Sequence, residues 1–132
     1  MIAAIMAAVT EKLAVALCHI DGVLEGESAF KAGPGFWVNG TEIAHFEGEH
    51  AIDLRLTRGQ IRARRAELRA DHRVTLRSTS SDWLTVQYRT AGDLQFVLGL
   101  AEVAAAAHRP PDGMPTREPP TEAALARRRR FH

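Results

Sequence analysis

The chain has 132 residues, 45% hydrophobic and 25% charged, with a formal net charge of +1. That is one domain's worth, able to bury a core without disulfide or metal staples, and the lone Cys18 excludes a disulfide framework and a CxxC metal pair. No apolar run reaches the roughly 18 residues of a membrane span, so the expectation is a cytoplasmic protein with no membrane partner and Cys18 inside.

The opening MIAAIMAAVTEKLAVALC lacks a basic leader and is interrupted by Glu11-Lys12, so it reads as a helix rather than a signal segment. Ile2, Ile5, Met6, Val9, Leu13 and Leu17 recur at helical spacing and predict a first helix over 2–17. Residues 23–35 are glycine-rich and read as an extended connection, with room for a short strand near Ser28–Phe30.

Residues 36–56, FWVNGTEIAHFEGEHAIDLRL, predict a three-stranded antiparallel meander. Asn39-Gly40 is a type I′ hairpin signal, because that turn needs positive φ at both central positions. A two-residue turn there pairs Val38 with Thr41 and Phe36 with Ile43. A second tight turn at Gly48-Glu49 pairs Glu47 with His50 and His45 with Ile52. Side chains alternate at period two. One face then holds Phe36, Val38, Thr41, Ile43, His45, Ile52, Leu54 and Leu56. The other holds Trp37, Glu42, Ala44, Phe46, Ala51, Asp53 and Arg55.

Thr57 and Gln60 have capping-box spacing, opening a second helix from about Arg58 to Arg69. Arg58, Arg62, Arg65 and Arg69 share one face of it. Two short strands, Val74–Arg77 and Trp83–Tyr88, flank a polar loop. Thr90 caps a third helix to about Ala107, with Asp93 placed to suit the helix dipole. That helix has two apolar stripes, which implies a sandwiched position or a homodimer contact. Residues 109–132 are Pro- and Arg-rich and read as a disordered basic tail after a domain ending at 108, with at most a frayed helix in TEAALARRRRFH. The fold class is therefore α+β, a single domain with a mainly antiparallel sheet, helices on one face, and the order α-β-β-β-α-β-β-α.

GPGFWVNGTEIAHFEG, then DLRLT, a basic helix, SSDWLTVQY and an apolar helix, together resemble the luciferase-domain family over roughly residues 12–108. E-I-A-H and S-D-W are the most specific parts. Other members often carry H-x-H-G where this chain has His45-Phe46-Glu47-Gly48, and paired His where it has His72-Arg73. The order of elements is more distantly similar to YjbR-type α+β domains, for which DNA binding has been suggested. The resemblance implies a fold rather than light emission. A flavin-dependent luciferase of the bacterial type needs a TIM barrel of about 250 residues, and no GxGxxG or P-loop is present, so no cofactor is expected.

His45 with Glu47, two positions on, and His50 opposite could chelate a metal, since alternate strand residues point one way. A satisfied core histidine is the plainer reading. Ser28, His45 and Asp53 supply the residue types of a nucleophilic triad, but there is no G-x-S-x-G elbow and the register turns Asp53 away from His45. Charge is uneven: residues 1–54 carry two Lys and eight acids, net −6, and residues 55–132 carry fifteen Arg and eight acids, net +7. Nucleic acid is thus a candidate partner of Arg58, Arg62, Arg65 and Arg69, with Trp37 or Trp83 as a stacking surface. Trp37, Trp83 and Tyr88 are candidates for a small-molecule cleft. The leading expectation is a non-catalytic binding or scaffold module with an unidentified protein or small-molecule partner. Nucleic-acid binding is the alternative, and an enzyme or metal protein centred on His45 comes last.

Overall fold

The structure is a computed structural model and describes residues 1–130. Its sheet has six antiparallel strands: β1 (Val23–Glu27), β2 (Pro34–Val38), β3 (Thr41–Phe46), β4 (Ala51–Arg55), β5 (Val74–Leu76) and β6 (Trp83–Gln87). In space they run β1-β2-β3-β4-β6-β5. The helices are α1 (Ile2–Leu17), α2 (Arg58–Ala63), α3 (Arg65–Ala70), α4 (Ala91–His108) and α5 (Glu122–Arg130). The α+β class and the order α-β-β-β-α-β-β-α are present as expected. The glycine-rich connection supplies β1, the second helix divides at Arg64, and α5 follows the last expected helix.

The chain meanders through β1–β4, and α2 and α3 then carry it past the sheet edge. It returns through the short edge strand β5 before β6 pairs with β4. Both edges suit exposure: β5 is three residues long, and β1 carries exposed Glu25 and Glu27.

α4 packs on β3 and β4 with α1 beside it. Thr90 and Asp93 form a reciprocal capping box at the α4 N-terminus. At α2 only the Thr57 hydroxyl accepts, from the Gln60 amide, and Thr57 sits at φ 88°, a conformation rare for a β-branched residue. Between sheet and helices lie Phe36, Val38, Ile43, Ala44, Ile52, Leu54, Leu56, Leu84, Val86 and Tyr88 of the sheet region, with Leu13, Leu17, Val97 and Ala101. Burying each large apolar side chain contributes about 1.5–3 kcal/mol. On α4, Leu94, Val97, Leu100, Ala101, Ala104 and Ala105 are buried, and half-buried Phe96 carries the Arg73 guanidinium 3.9 Å from its ring centroid. Exposed apolar residues concentrate instead on α1, at Ile2, Ile5 and Val15. Cys18, expected inside, is exposed at the end of α1.

Two register details differ from the expected meander. Asn39 (φ 51°) and Gly40 (φ 77°) make the type I′ turn, and Val38 faces Thr41. Beyond it β3 bulges: Trp37 faces Glu42 but Phe36 faces Ala44, so Ile43 and Ala44 both enter the core. At the next corner the Glu47 amide donates to the Ala51 carbonyl, enclosing three residues rather than two, with Gly48 at φ 73°. His45 therefore faces Asp53, not Ile52. The one-residue slip moves Ala44 and Phe46 to the core side and sends His45 to the opposite, outer face.

Residues 109–121 pass over that outer face. The Arg117 amide donates to Asn39 Oδ1 at 2.9 Å, Pro119 lies beside Gly26, and Leu125 of α5 is 1% exposed. The segment whose composition reads as a disordered tail thus has definite contacts, and α5 lies on the side away from α1 and α4. Among the described residues no helix is long and apolar enough to cross a membrane.

Candidate functional site

The bulge and the three-residue loop gather a polar cluster on the outer face. Glu42 and His45 come from β3 on either side of the bulge, Asp53 and Arg55 from β4, and Trp83 and Thr85 from β6. Ser28 and Phe30 come from the loop after β1. Glu42, His45 and Asp53 are 2%, 4% and 2% exposed, so a charged centre is buried here.

Its hydrogen bonds form one chain. His45 Nδ1 donates to Glu42 Oε2 and Nε2 donates to Asp53 Oδ2, each at 3.0 Å. Ser28 Oγ donates to Glu42 Oε2 and the Ala29 amide to Glu42 Oε1, both at 2.6 Å. Thr85 Oγ1 donates to Asp53 Oδ1 at 2.6 Å, and Arg77 lies 3.0 Å from Asp53 Oδ2. Ser28 Oγ also accepts from the Phe30 and Lys31 amides, fixing the loop. Gly35 makes room: a Cβ there would lie 2.8 Å from Ser28 Cα and 3.0 Å from the Glu42 carboxyl.

With a carboxylate on each ring nitrogen, His45 is an imidazolium. Burial opposes that charge, but the hydrogen bonds to Asp53 and Glu42 and their negative charges prevail, raising the pKa from 6.5 to about 9. Asp53 moves the other way. Burial disfavours its anion, yet the His45 and Thr85 hydrogen bonds and the Arg77 cation hold it at about 2, below the ordinary 3.8. Aromatic rings flank the cation, Trp83 at 5.0 Å and Phe30 at 5.6 Å between centroids.

The triad types Ser28, His45 and Asp53 do come together, because the slip turns Asp53 toward His45. The Ser28 hydroxyl nonetheless donates to Glu42, so His45 has no nitrogen free to activate it. His45, Glu47 and Asp53 offer ligand atoms within 4.8 Å of one another. A divalent ion there would have to displace the Nε2 proton, Arg77 from Asp53, and Lys31 from Glu47, which it meets at 2.7 Å. The donor set thus fits its present cations better than a metal. His50 stands apart, with Nε2 3.0 Å from Arg89 Nη2.

Beside this centre is a concavity of about 150 Å³ lined by Ala29, Phe30, Trp37, Gly40, Thr41, Glu42, Arg55 and Arg128. Trp37 is buried on the outer face and donates to the Glu27 carbonyl at 3.1 Å. Arg55 lies over Trp83, 4.8 Å from the ring centroid, and 5.7 Å from that of Phe30. The cleft candidates separate: Trp37 and Trp83 are on the outer face, while Tyr88 is in the core, its hydroxyl 2.8 Å from Thr10 Oγ1. The arginine face divides as well. Arg58 and Arg62 are exposed on α2, and Arg65 (half-buried) and Arg69 (exposed) belong to α3, beyond the break at Arg64.

Phe30, Glu42, Arg55 and Thr85 join His45 without any motif in the sequence that links them to it. The available signal was Ala44 and Phe46 alternating with His45 and Glu47, which marks a polar face opposite an apolar one.

A family model described as "Luciferase domain" matches residues 40–104. The match spans β3 to most of α4 and includes Glu42, His45, Asp53, Arg55 and Trp83. No curated protein and no solved structure matches the chain.

Proposed function

We propose, for a chain whose residues 40–104 belong to the luciferase-domain family, that this domain is a non-catalytic binding module that takes a small molecule into the outer-face concavity. The observation that carries this reading is the engagement of both His45 ring nitrogens by buried carboxylates. A general base must cycle a proton near the working pH, and an imidazolium with a pKa of about 9 does not release one at neutrality. The nearby Ser28 hydroxyl donates to Glu42 rather than to His45. What the centre can do is brace three strands and hold Phe30, Trp83 and Arg55 in fixed relation to the concavity. Pockets that bind small ligands combine aromatic walls with a few polar groups, and Phe30, Trp37, Thr41 and Arg55 supply that mixture. Exposed Cys18 without a disulfide partner among the described residues supports a reducing, cytoplasmic setting.

A small-fragment panel titrated into ¹⁵N-labelled protein tests the reading. The expected result is saturable shifts centred on the Trp37 and Trp83 indole N–H signals and the Thr41 amide. A panel that leaves those signals unmoved, or a hydrolytic activity abolished by His45→Gln, overturns it.

A further inference from the structure

Resting on that reading of the concavity, we propose that its ligand is a small planar organic carboxylate, paired by Arg55 and by Arg128 of α5. Arg55 is the unexplained group of the outer face. Its guanidinium lies against Trp83 and Phe30, and it forms no ion pair with any described residue. Its Nε is buried and has no hydrogen-bond partner among the described residues. Buried donors in folded proteins are nearly always matched, so an orphan on a cavity wall marks a place for an acceptor. Arginine offers Nε and Nη as a rigid fork whose spacing fits the two oxygens of a carboxylate.

The protein's own nearest candidate is already committed. Glu42 accepts from the Ala29 amide on one oxygen and from Ser28 and His45 on the other. Burial disfavours the Arg55 cation, while Asp82 and Glu42 support it only through space. Arg128 lines the same cavity, carried there by a helix whose Leu125 is seated in the protein. An anion between the two arginines therefore gains one desolvated partner and one solvent-screened partner.

Shape narrows the class further. About 150 Å³ is small beside the roughly 300–1,000 Å³ of typical small-molecule pockets, which favours a single-ring ligand. Phe30 and Trp37 give flat walls, and the Thr41 hydroxyl is a further donor.

The full chain titrated at low salt with benzoate, benzamide and inorganic phosphate tests the proposal, by following outer-face amide and indole signals. Benzoate is expected to saturate with a Kd on the order of 0.1–1 mM, and benzamide and phosphate to bind at least about tenfold more weakly. Arg55→Gln should weaken benzoate by about tenfold or more. The exposed Arg128→Gln should cost about two- to fivefold, and it keeps the test decisive should the Arg55 variant fail to fold. Benzamide binding as tightly as benzoate, phosphate binding tighter, or benzoate affinity indifferent to Arg128→Gln overturns the anion assignment while leaving the binding module standing. Silence from all three ligands and from the wider fragment panel removes both.

Discussion

Replacing the buried imidazolium is the sharpest perturbation of the outer face. His45→Gln keeps the approximate length and hydrogen-bonding capacity but leaves Glu42 and Asp53, each 2% exposed, without the cation between them. Breaking a buried ion pair from one side costs about 3–5 kcal/mol. The proton-linked share follows from the shift. A histidine raised from 6.5 to about 9 on folding contributes stability that is full below pH 6.5 and lost as the pH rises through 9. At 1.36 kcal/mol per unit that share is about 2.5 kcal/mol at pH 7 and close to zero at pH 10. Urea denaturation of both proteins at pH 7, 8.5 and 10 measures it. The wild-type advantage should shrink by about 2.5 kcal/mol between pH 7 and pH 10. Lysine and tyrosine titrations common to both proteins cancel in the difference. A gap equal at both pH values, or a cost at pH 7 below about 1 kcal/mol, would refute the claim that His45 is a charged brace.

On the acid side Asp53, held at about 2 against an ordinary 3.8, contributes stability that is present above pH 3.8 and lost as the pH falls through 2. Acid denaturation should therefore show a wild-type loss of about 2 kcal/mol across that interval that Asp53→Asn lacks; superimposable slopes would contradict it. Gly35→Ala puts a Cβ 2.8 Å from Ser28 Cα and is expected to destabilise by about 1–3 kcal/mol, with altered Trp37 fluorescence from the displaced loop; an unchanged urea midpoint would show that the loop yields freely. For the arginine-rich half, fluorescence anisotropy on a short duplex at several salt concentrations should give weak, salt-sensitive binding. Arg58→Glu with Arg62→Glu should flatten the log–log salt slope by about two, and an unchanged slope would place any phosphate contacts elsewhere.

Local chemistry was readable, and registration was not. The ends of α1, the Thr90–Asp93 cap and the Asn39-Gly40 turn each depend on a few adjacent residues, so the sequence carries them directly. The corner at Gly48 is different. A glycine at positive φ suits both a two-residue and a three-residue loop, and only packing of Phe46 and Ile52 on the core side decides between them. The bulge at Ile43 carries no residue signature either; it is set by the need to bury Ile43 and Ala44 together. The tail posed a similar problem, since the contacts of Arg117, Pro119 and Leu125 sit within a composition that otherwise signals disorder.

These two irregularities have one consequence for function. Strict alternation gives His45 an apolar setting and turns Asp53 from it, which leaves only the small signals of a lone strand histidine. One added residue in β3 and one in the corner put Glu42, His45 and Asp53 on the same surface, where each charge has an opposite neighbour. The E-I-A-H segment that carries the family resemblance is the bulge itself, its glutamate and histidine meeting across it, and the Trp of S-D-W flanks the same imidazole. In that centre both ring nitrogens of His45 are engaged by carboxylates. Its neighbour Arg55 keeps a buried Nε with no hydrogen-bond partner among the described residues, and that donor is where the proposed carboxylate is put to the test.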